Sequence, residues 1–298
     1  MEKITNVAVF GTGVLGSQIA FQTAWCGFAV TVYDINEEAL DKARSKFREL
    51  ATTYMEDTGA PESEADAAIG RIRYTTDMAD AVKDAHLAIE AIPENIDIKK
   101  EFYKKLGAEA PPHTIFATNT STLLPSKFAE DTGRPERFLA LHFANQIWKY
   151  NTAEIMCHAG TDKQVFDTVI EFARSIEMVP LPIQKEQPGY ILNSLLVPLL
   201  DAAMALFVNG VSDPETIDKT WMIATGAPKG PFGIYDVVGI TTAYNITRIK
   251  ASKGDRQAQR ATQLLRERFI DTGKLGAASG EGFYKYPNPA FESPGFLK

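Results

Sequence analysis

Asn6-Val7-Ala8-Val9-Phe10-Gly11-Thr12-Gly13-Val14-Leu15-Gly16 opens the chain, and Val30-Thr31-Val32-Tyr33-Asp34 answers it. The first five residues form an apolar, β-branched run. G-x-G-x-x-G follows at once, and a helical pattern then runs through Ile19, Ala20, Thr23 and Ala24 to Gly27. Strand, glycine turn, helix, strand and acid stand in the order that a dinucleotide site requires. Gly11 permits the tight turn, Gly13 lets backbone approach a pyrophosphate, and Gly16 allows close helix–strand packing. The helix N-terminus offers free N–H groups and a partial positive charge to the phosphates, with Thr12, Val14 and Leu15 among the expected cofactor-binding residues. Asp34 accepts from ribose hydroxyls and repels a 2′-phosphate, so the spacing predicts NAD rather than NADP. Asp34 could instead cap the helix starting at Asn36-Glu37-Glu38.

Outward from this unit the alternation continues. A helix is expected from Glu37 to about Met55, a break at Thr58-Gly59-Ala60-Pro61, and a short helix over Glu62–Ile69. Further strands are expected at Ile72–Tyr74, Leu87–Ile92, Ile115–Thr118, Phe138–Leu141, Thr152–Met156 and Val179–Ile183, with helices at Asp77–Val82, Ile96–Ala108 and Lys163–Ile176. This pattern predicts a doubly wound, mostly parallel α/β sheet. At Gln187-Pro188-Gly189 the texture changes. Tyr190–Asn209, Asp213–Ala224, Phe232–Ile249 and Arg256–Thr272 all read as helices. The expected organisation is a Rossmann-type domain over residues 1–187 and an all-helical domain over 188–298.

Composition narrows the function classes. The chain of 298 residues is 45% hydrophobic and 23% charged, an ordinary globular balance. Its net charge of −7 argues against nucleic acid or an anionic membrane as partner. No apolar run approaches membrane-spanning length, and the first strand leaves no room for a signal peptide. Cys26 and Cys157 have no metal or redox spacing, which fits a reduced cytoplasm. The four histidines show no metal-ligand spacing, so no metal is expected.

His142 follows an apolar strand and should stand exposed in the crevice at the sheet's carboxyl edge. Imidazole moves protons near neutral pH. Glu154 lies in a strand that returns alongside and could fix the ring's tautomer. Ser121, in the polar cluster Asn119-Thr120-Ser121-Thr122 at a strand's carboxyl end, and Asn193 could hydrogen-bond a substrate oxygen. On the residues alone His142 could equally be structural, and Glu154 an edge charge. His86, His113 and His158 read as surface residues.

These motifs together resemble the 3-hydroxyacyl-CoA dehydrogenases over essentially the whole chain. The resemblance rests on Gly11–Gly16, Ile89-Glu90-Ala91-Ile92-Pro93-Glu94-Asn95, Thr118–Thr122, Arg134–Phe138 leading into His142-Phe143, Pro188–Asn193, Gly230-Pro231-Phe232 and Gly280–Tyr284. It implies an NAD-dependent, L-specific oxidoreductase acting at a 3-hydroxy or 3-keto carbon, assembled as a homodimer through the helical domain. It implies that His142 is the general acid/base, Glu154 its partner, and Ser121 and Asn193 the substrate-oxygen bonders. Glu94, Lys99, Asn119 and Asn145 fall near the nicotinamide end.

Three departures bear on the substrate. His142-Phe143 continues as Ala144-Asn145-Gln146-Ile147-Trp148 where the family usually has Phe-Asn-Pro. Ala277-Ala278-Ser279 stands where the family often has a lysine. The helical hairpin after the second strand carries Glu49, Glu56, Asp57, Glu62, Glu64 and Asp66, with no Lys or Arg between Glu49 and Gly70. In the resembled family this hairpin lies beside the acyl-CoA, and coenzyme A is an anion. The stretch His142-Phe143-Ala144-Asn145 with Asn151-Thr152-Ala153-Glu154 and Gly226–Gly230 looks most like the diketoreductase branch, which reduces β,δ-diketo esters with NADH. The expected substrate is therefore a neutral keto or diketo ester, with Trp148 reshaping the acyl pocket. The alternatives are a short-chain 3-hydroxyacyl-CoA dehydrogenase, a dehydrogenase of small 3-hydroxy acids such as the carnitine and gulonate enzymes, and a non-catalytic NAD-binding protein like a lens crystallin.

Overall fold

The computed structural model describes residues 3–298, which form two compact units, one ending at Leu192 and the other spanning Asn193–Lys298. In the first unit the chain alternates β1 (Asn6–Phe10), α1 (Val14–Trp25), β2 (Ala29–Tyr33), α2 (Glu37–Thr58), α3 (Glu62–Gly70), β3 (Ile72–Thr75), α4 (Met78–Val82) and β4 (Leu87–Glu90). It continues through α5 (Ile96–Glu109), β5 (Ile115–Thr118), β6 (Phe138–Phe143), β7 (Thr152–Met156), α6 (Lys163–Ser175) and β8 (Val179–Ile183). The eight strands make one sheet in the order β3-β2-β1-β4-β5-β6-β7-β8. Strands β1 to β6 are parallel; β7 runs against β6 and parallel to β8.

Both faces of the sheet are covered, which is why its strands read as continuous apolar runs. Val7, Val9, Val30, Val32, Leu139 and Leu141 pack with α1, α2, α3 and α6 on one face. Ala8, Phe10, Ala88, Phe116 and Phe138 pack with α4 and α5 on the other. The strand order reverses between β1 and β4, the crevice where such sheets take their ligands.

Several expected boundaries move for local reasons. The strand expected to reach Ile92 stops at Glu90, whose carboxylate accepts the Ile92 N–H at 3.0 Å and turns the chain. His142 lies inside β6, not beyond it. The first unit continues past Gly189, because Tyr190 packs beneath His142 and the N–H groups of Ile191 and Leu192 bond Glu154. His86 and His158 are half-buried, contrary to their surface reading. The His158 ring bonds the Pro135 carbonyl at 2.9 Å and the Gly160 N–H at 3.1 Å. His113 is exposed.

The second unit is helical: α7 (Leu192–Val208), α8 (Pro214–Thr225), α9 (Pro231–Val238), α10 (Ile240–Ser252) and α11 (Arg256–Leu265). The single helix expected over Phe232–Ile249 is two, broken at Gly239, whose φ of 90° no helix accepts. Two buried carboxylates explain the glycine motifs of this unit. Asp218 accepts the Phe232 and Gly233 N–H groups and the Tyr284 hydroxyl. Asp236 accepts the Phe283 and Tyr284 N–H groups. A Cβ on Gly230 would lie 2.3 Å from the Asp218 carboxyl carbon, and one on Gly282 would lie 2.0 Å from Asp236 Oδ1. Burial raises both carboxyls above their ordinary range, and the hydrogen bonds offset part of that rise. Among the described residues no helix is long and apolar enough to cross a membrane.

Candidate active site

The glycine turn is shaped by its neighbours. Gly11 has φ 94°, and a Cβ there would stand 2.7 Å from the Ala91 carbonyl oxygen. A Cβ on Gly16 would stand 2.0 Å from the Gly11 carbonyl oxygen, so α1 closes on the turn only with glycine there. Nothing in the protein lies within 4 Å of a Cβ on Gly13, so its bareness leaves an open approach. No side chain caps α1 at Gly13, so the N–H groups of its first turn, from Val14 through Leu15 to Gly16, remain directed at that opening. Residues and space here fit a dinucleotide pyrophosphate.

Asp34 does not cap α2; Asn36 does, accepting the Ala39 N–H at 2.9 Å. Asp34 Oδ2 accepts the Thr12 N–H at 2.8 Å and the Thr12 hydroxyl at 2.5 Å, and Oδ1 accepts the Ile35 N–H at 2.8 Å. A carboxylate offers about four acceptor sites, so it retains room for a ribose hydroxyl. Lys46 and Ser17 both donate to the Thr12 carbonyl, each at 2.9 Å.

His142 and Glu154 are direct cross-strand partners in β6 and β7, so their side chains share one face of the sheet. Nδ1 of His142 lies 3.0 Å from Glu154 Oε2, and Nε2 lies 3.2 Å from Ser121 Oγ. His142 is buried, only 5% exposed, not open to the crevice as its position in the sequence had suggested. The cause is Tyr190, whose ring stacks on the imidazole at 4.4 Å and 20°. Tyr190 adopts φ 56°, an uncommon conformation for a residue with a side chain, which brings its ring under the histidine. Glu154 Oε1 meanwhile accepts the N–H groups of Ile191 and Leu192 at 2.9 and 3.0 Å. Burial alone would raise the Glu154 carboxyl, but the His142 and backbone hydrogen bonds outweigh it and hold it below its ordinary range.

Glu94 gathers the loop that carries Ser121. Its Oε1 accepts from the Thr120 hydroxyl at 2.5 Å, the Ser121 and Thr122 N–H groups at 3.0 and 2.9 Å, and the Thr122 hydroxyl at 2.8 Å. These bonds and the charge of Lys99, 3.5 Å from Oε2, lower the Glu94 carboxyl against the opposing effect of burial. Lys99 is 1% exposed and forms a close ion pair with the equally buried Glu90. Glu90 also accepts from Thr118 at 2.7 Å and Tyr103 at 3.2 Å. Glu90 was quoted in the sequence without a role. Its signal was an acid inside an apolar run, which folding buries only with a partner. Tyr190, likewise quoted without a role, carried no such signal.

Asn119 Oδ1 accepts the Phe143 N–H at 3.0 Å and so ties β5 to the end of β6. Asn145 accepts from Gln18 Nε2 at 2.7 Å, joining α1 to the loop after His142. The ring of Trp148 packs on Tyr54 at 5.0 Å and its Nε1 donates to Asp57 at 2.7 Å. Asn193 lies in the first turn of α7, in the second unit, half-buried.

The 3-hydroxyacyl-CoA dehydrogenase NAD-binding domain matches residues 6–187, and the C-terminal domain of the same family matches residues 189–286. A diketoreductase, solved in work on substrate-directed dual catalysis of dicarbonyl compounds, is 59% identical with a TM-score of 0.91, covering 96% of this chain and all of that one (100%). A probable 3-hydroxybutyryl-CoA dehydrogenase of Deinococcus radiodurans is 33% identical over 93% of this chain and 99% of its own. The human mitochondrial hydroxyacyl-coenzyme A dehydrogenase is 32% identical over 95% of this chain and 91% of its own. The chain therefore belongs to the 3-hydroxyacyl-CoA dehydrogenase family and is an NAD-dependent oxidoreductase acting on 3-hydroxy and 3-keto groups.

Proposed function

We propose that the enzyme interconverts a neutral 3-keto or 3,5-diketo ester and its L-3-hydroxy product, with His142 as general acid/base. The observation that carries the chemistry is the line Glu154–His142–Ser121, its first two members buried. An ionised Glu154 only accepts, so Nδ1 carries a proton and Nε2 is the nitrogen left for the substrate. In reduction Nε2 donates a proton to the carbonyl oxygen; in oxidation it takes one from the hydroxyl. Glu154 stabilises the imidazolium. Ser121 orients the substrate oxygen, and Glu94 fixes Ser121 through its backbone. When bound, the nicotinamide supplies or accepts the hydride. Gly11, Thr12, Gly13, Val14, Leu15, Gly16 and Asp34 hold the adenosine and pyrophosphate half of the cofactor. Glu94, Lys99, Asn119, Ser121 and Asn145 frame its nicotinamide end.

The acidic hairpin supports an uncharged substrate. Asp57 draws it against the loop that follows His142. Of the four bases that precede it, Lys42 pairs with Glu38, Arg44 with Asp41 and Lys46 with the Thr12 carbonyl, while Arg48 is the one that could still reach a phosphate. The multiple negative charges of coenzyme A meet unfavourable potential there, an effect screened over about 8 Å at physiological salt. The names of the relatives favour a second reading, a short-chain 3-hydroxyacyl-CoA dehydrogenase. Side-by-side kinetics with NADH at low salt separate the two. A neutral keto or diketo ester should show the higher kcat/KM, and a preference for acetoacetyl-CoA would establish the second reading.

The enzyme works as a homodimer formed by the helical unit, where α7 exposes Leu195 (71%) and Leu206 (42%) and α8 exposes Ile223 (61%). Its two thiols are free, and burial pushes Cys26 up to about 12 and Cys157 to about 11, as suits inert cysteines in a reduced cytoplasm.

A further inference from the structure

The catalytic pair sits at the loop end of the β6–β7 hairpin, and residues 144–151 connect its strands. This loop leaves the carboxyl end of β6, the edge at which open α/β sheets take their ligands. It begins directly after His142-Phe143, at that edge. Gln146, at its centre, adopts the left-handed φ of 58°, so the loop needs outside fastening. One fastening is Gln18 of α1, which accepts the Gln146 N–H at 2.8 Å and donates to Asn145 at 2.7 Å. The other is Asp57 of α2, which accepts Trp148 Nε1 at 2.7 Å and Lys149 Nζ at 2.9 Å. Trp148 packs on Tyr54, whose hydroxyl donates to Gln22 Oε1 at 2.6 Å, so the anchor is itself braced on α1.

Asp57 stands in the last turn of α2, where the helix carries partial negative charge and an acid is unfavourable. The two donors from the loop supply what the helix does not. The sheet register, rather than the loop, pairs His142 with Glu154.

We propose that Asp57 is a positioning residue: by clamping Trp148 and Lys149 it holds the loop after His142 and so sets the affinity for the keto substrate. The proposal rests on the assignment of His142 and Glu154 made above. Freeing the loop widens the site without disturbing the pair, so binding suffers while the proton transfer survives.

The test uses the full-length enzyme with NADH and the keto compound that the wild type turns over best. Asp57→Ala should raise KM at least about fivefold, leave kcat within about twofold, and leave the pH profile of kcat unmoved. Asp57→Asn keeps an acceptor for the indole and should return KM to within about twofold of wild type. Amide exchange across residues 144–151, measured without substrate, should quicken in Asp57→Ala and not in Asp57→Asn. A merely structural Asp57 would lower the melting temperature and the apparent kcat and leave KM where it was; that result overturns the proposal. Unchanged exchange across 144–151 overturns it as well. A wild type inactive on every keto compound overturns the site assignment and the affinity part of the proposal with it, while the exchange measurement still decides whether Asp57 holds the loop.

Discussion

At the scale of single residues, the proposed chemistry turns on one nitrogen. His142 is gripped from Nδ1 by Glu154 and from one face by Tyr190, leaving Nε2 beside Ser121. His142→Gln should lower kcat by about a hundredfold or more, the usual loss for a general acid/base. NADH affinity, read by fluorescence titration, should barely move. Glu154→Gln should also lower kcat, because an amide no longer stabilises the imidazolium. Its effect on stability has a defined pH dependence. The Glu154 carboxyl is held below its unfolded range, so its contribution is present above that range and is lost as pH falls through the folded value. The stability gap between wild type and Glu154→Gln should therefore narrow between about pH 6 and about pH 3 in denaturant titrations. A gap that stays constant would mean that the carboxylate gains nothing from its partners.

At the scale of elements, β1, the glycine turn, α1 and β2 form one device whose parts brace each other. Asp34 at the end of β2 holds Thr12 in the turn, and Thr12 in turn holds Lys46 of α2 through its carbonyl. Asp34 is thus fixed beside the turn before any ligand arrives, and in the cofactor site proposed above its charge meets the ribose. A 2′-phosphate there meets a like charge, a juxtaposition that costs several kcal/mol. NADH should be preferred to NADPH by roughly a hundredfold or more in kcat/KM. Equal use of both cofactors would show that Lys46, the nearest cation to the turn, compensates the carboxylate.

For the whole molecule, the balance of surfaces matters more than any one contact. The first unit buries its apolar side chains on both faces of the sheet. The second unit leaves Leu195, Ile223 and Ile249 exposed, although its own core around Phe232, Leu265 and Phe269 is well filled. The homodimer proposed above would cover such side chains, since a contiguous apolar patch marks an interaction surface. Light scattering at micromolar concentration should give twice the chain mass. Leu195→Asp should reduce it to one chain mass with the circular dichroism of the fold retained. A wild type that runs as a monomer would remove the homodimer and leave the apolar side chains unexplained.

What the sequence by itself determined is what depends on near neighbours. The strand–turn–helix–strand order and the breaks at Gly27 and Gly59 follow from local backbone rules, and the alternating pattern carries the doubly wound sheet. The approach of Glu154 to His142 was legible too, because a strand returning after a short loop pairs with the one before it. Tertiary structure decided the rest. Trp148 meets Asp57 across 91 residues of sequence, and Tyr190 reaches His142 only because the chain comes back from the far edge of the sheet. Glu90 and Lys99 are close enough in sequence to suspect, yet only the packing of α5 on β4 makes them a buried pair. A burial, a long-range partner and a left-handed tyrosine leave no periodic trace. They are consequences of closing the sheet, whose strands bring together side chains that no local pattern relates.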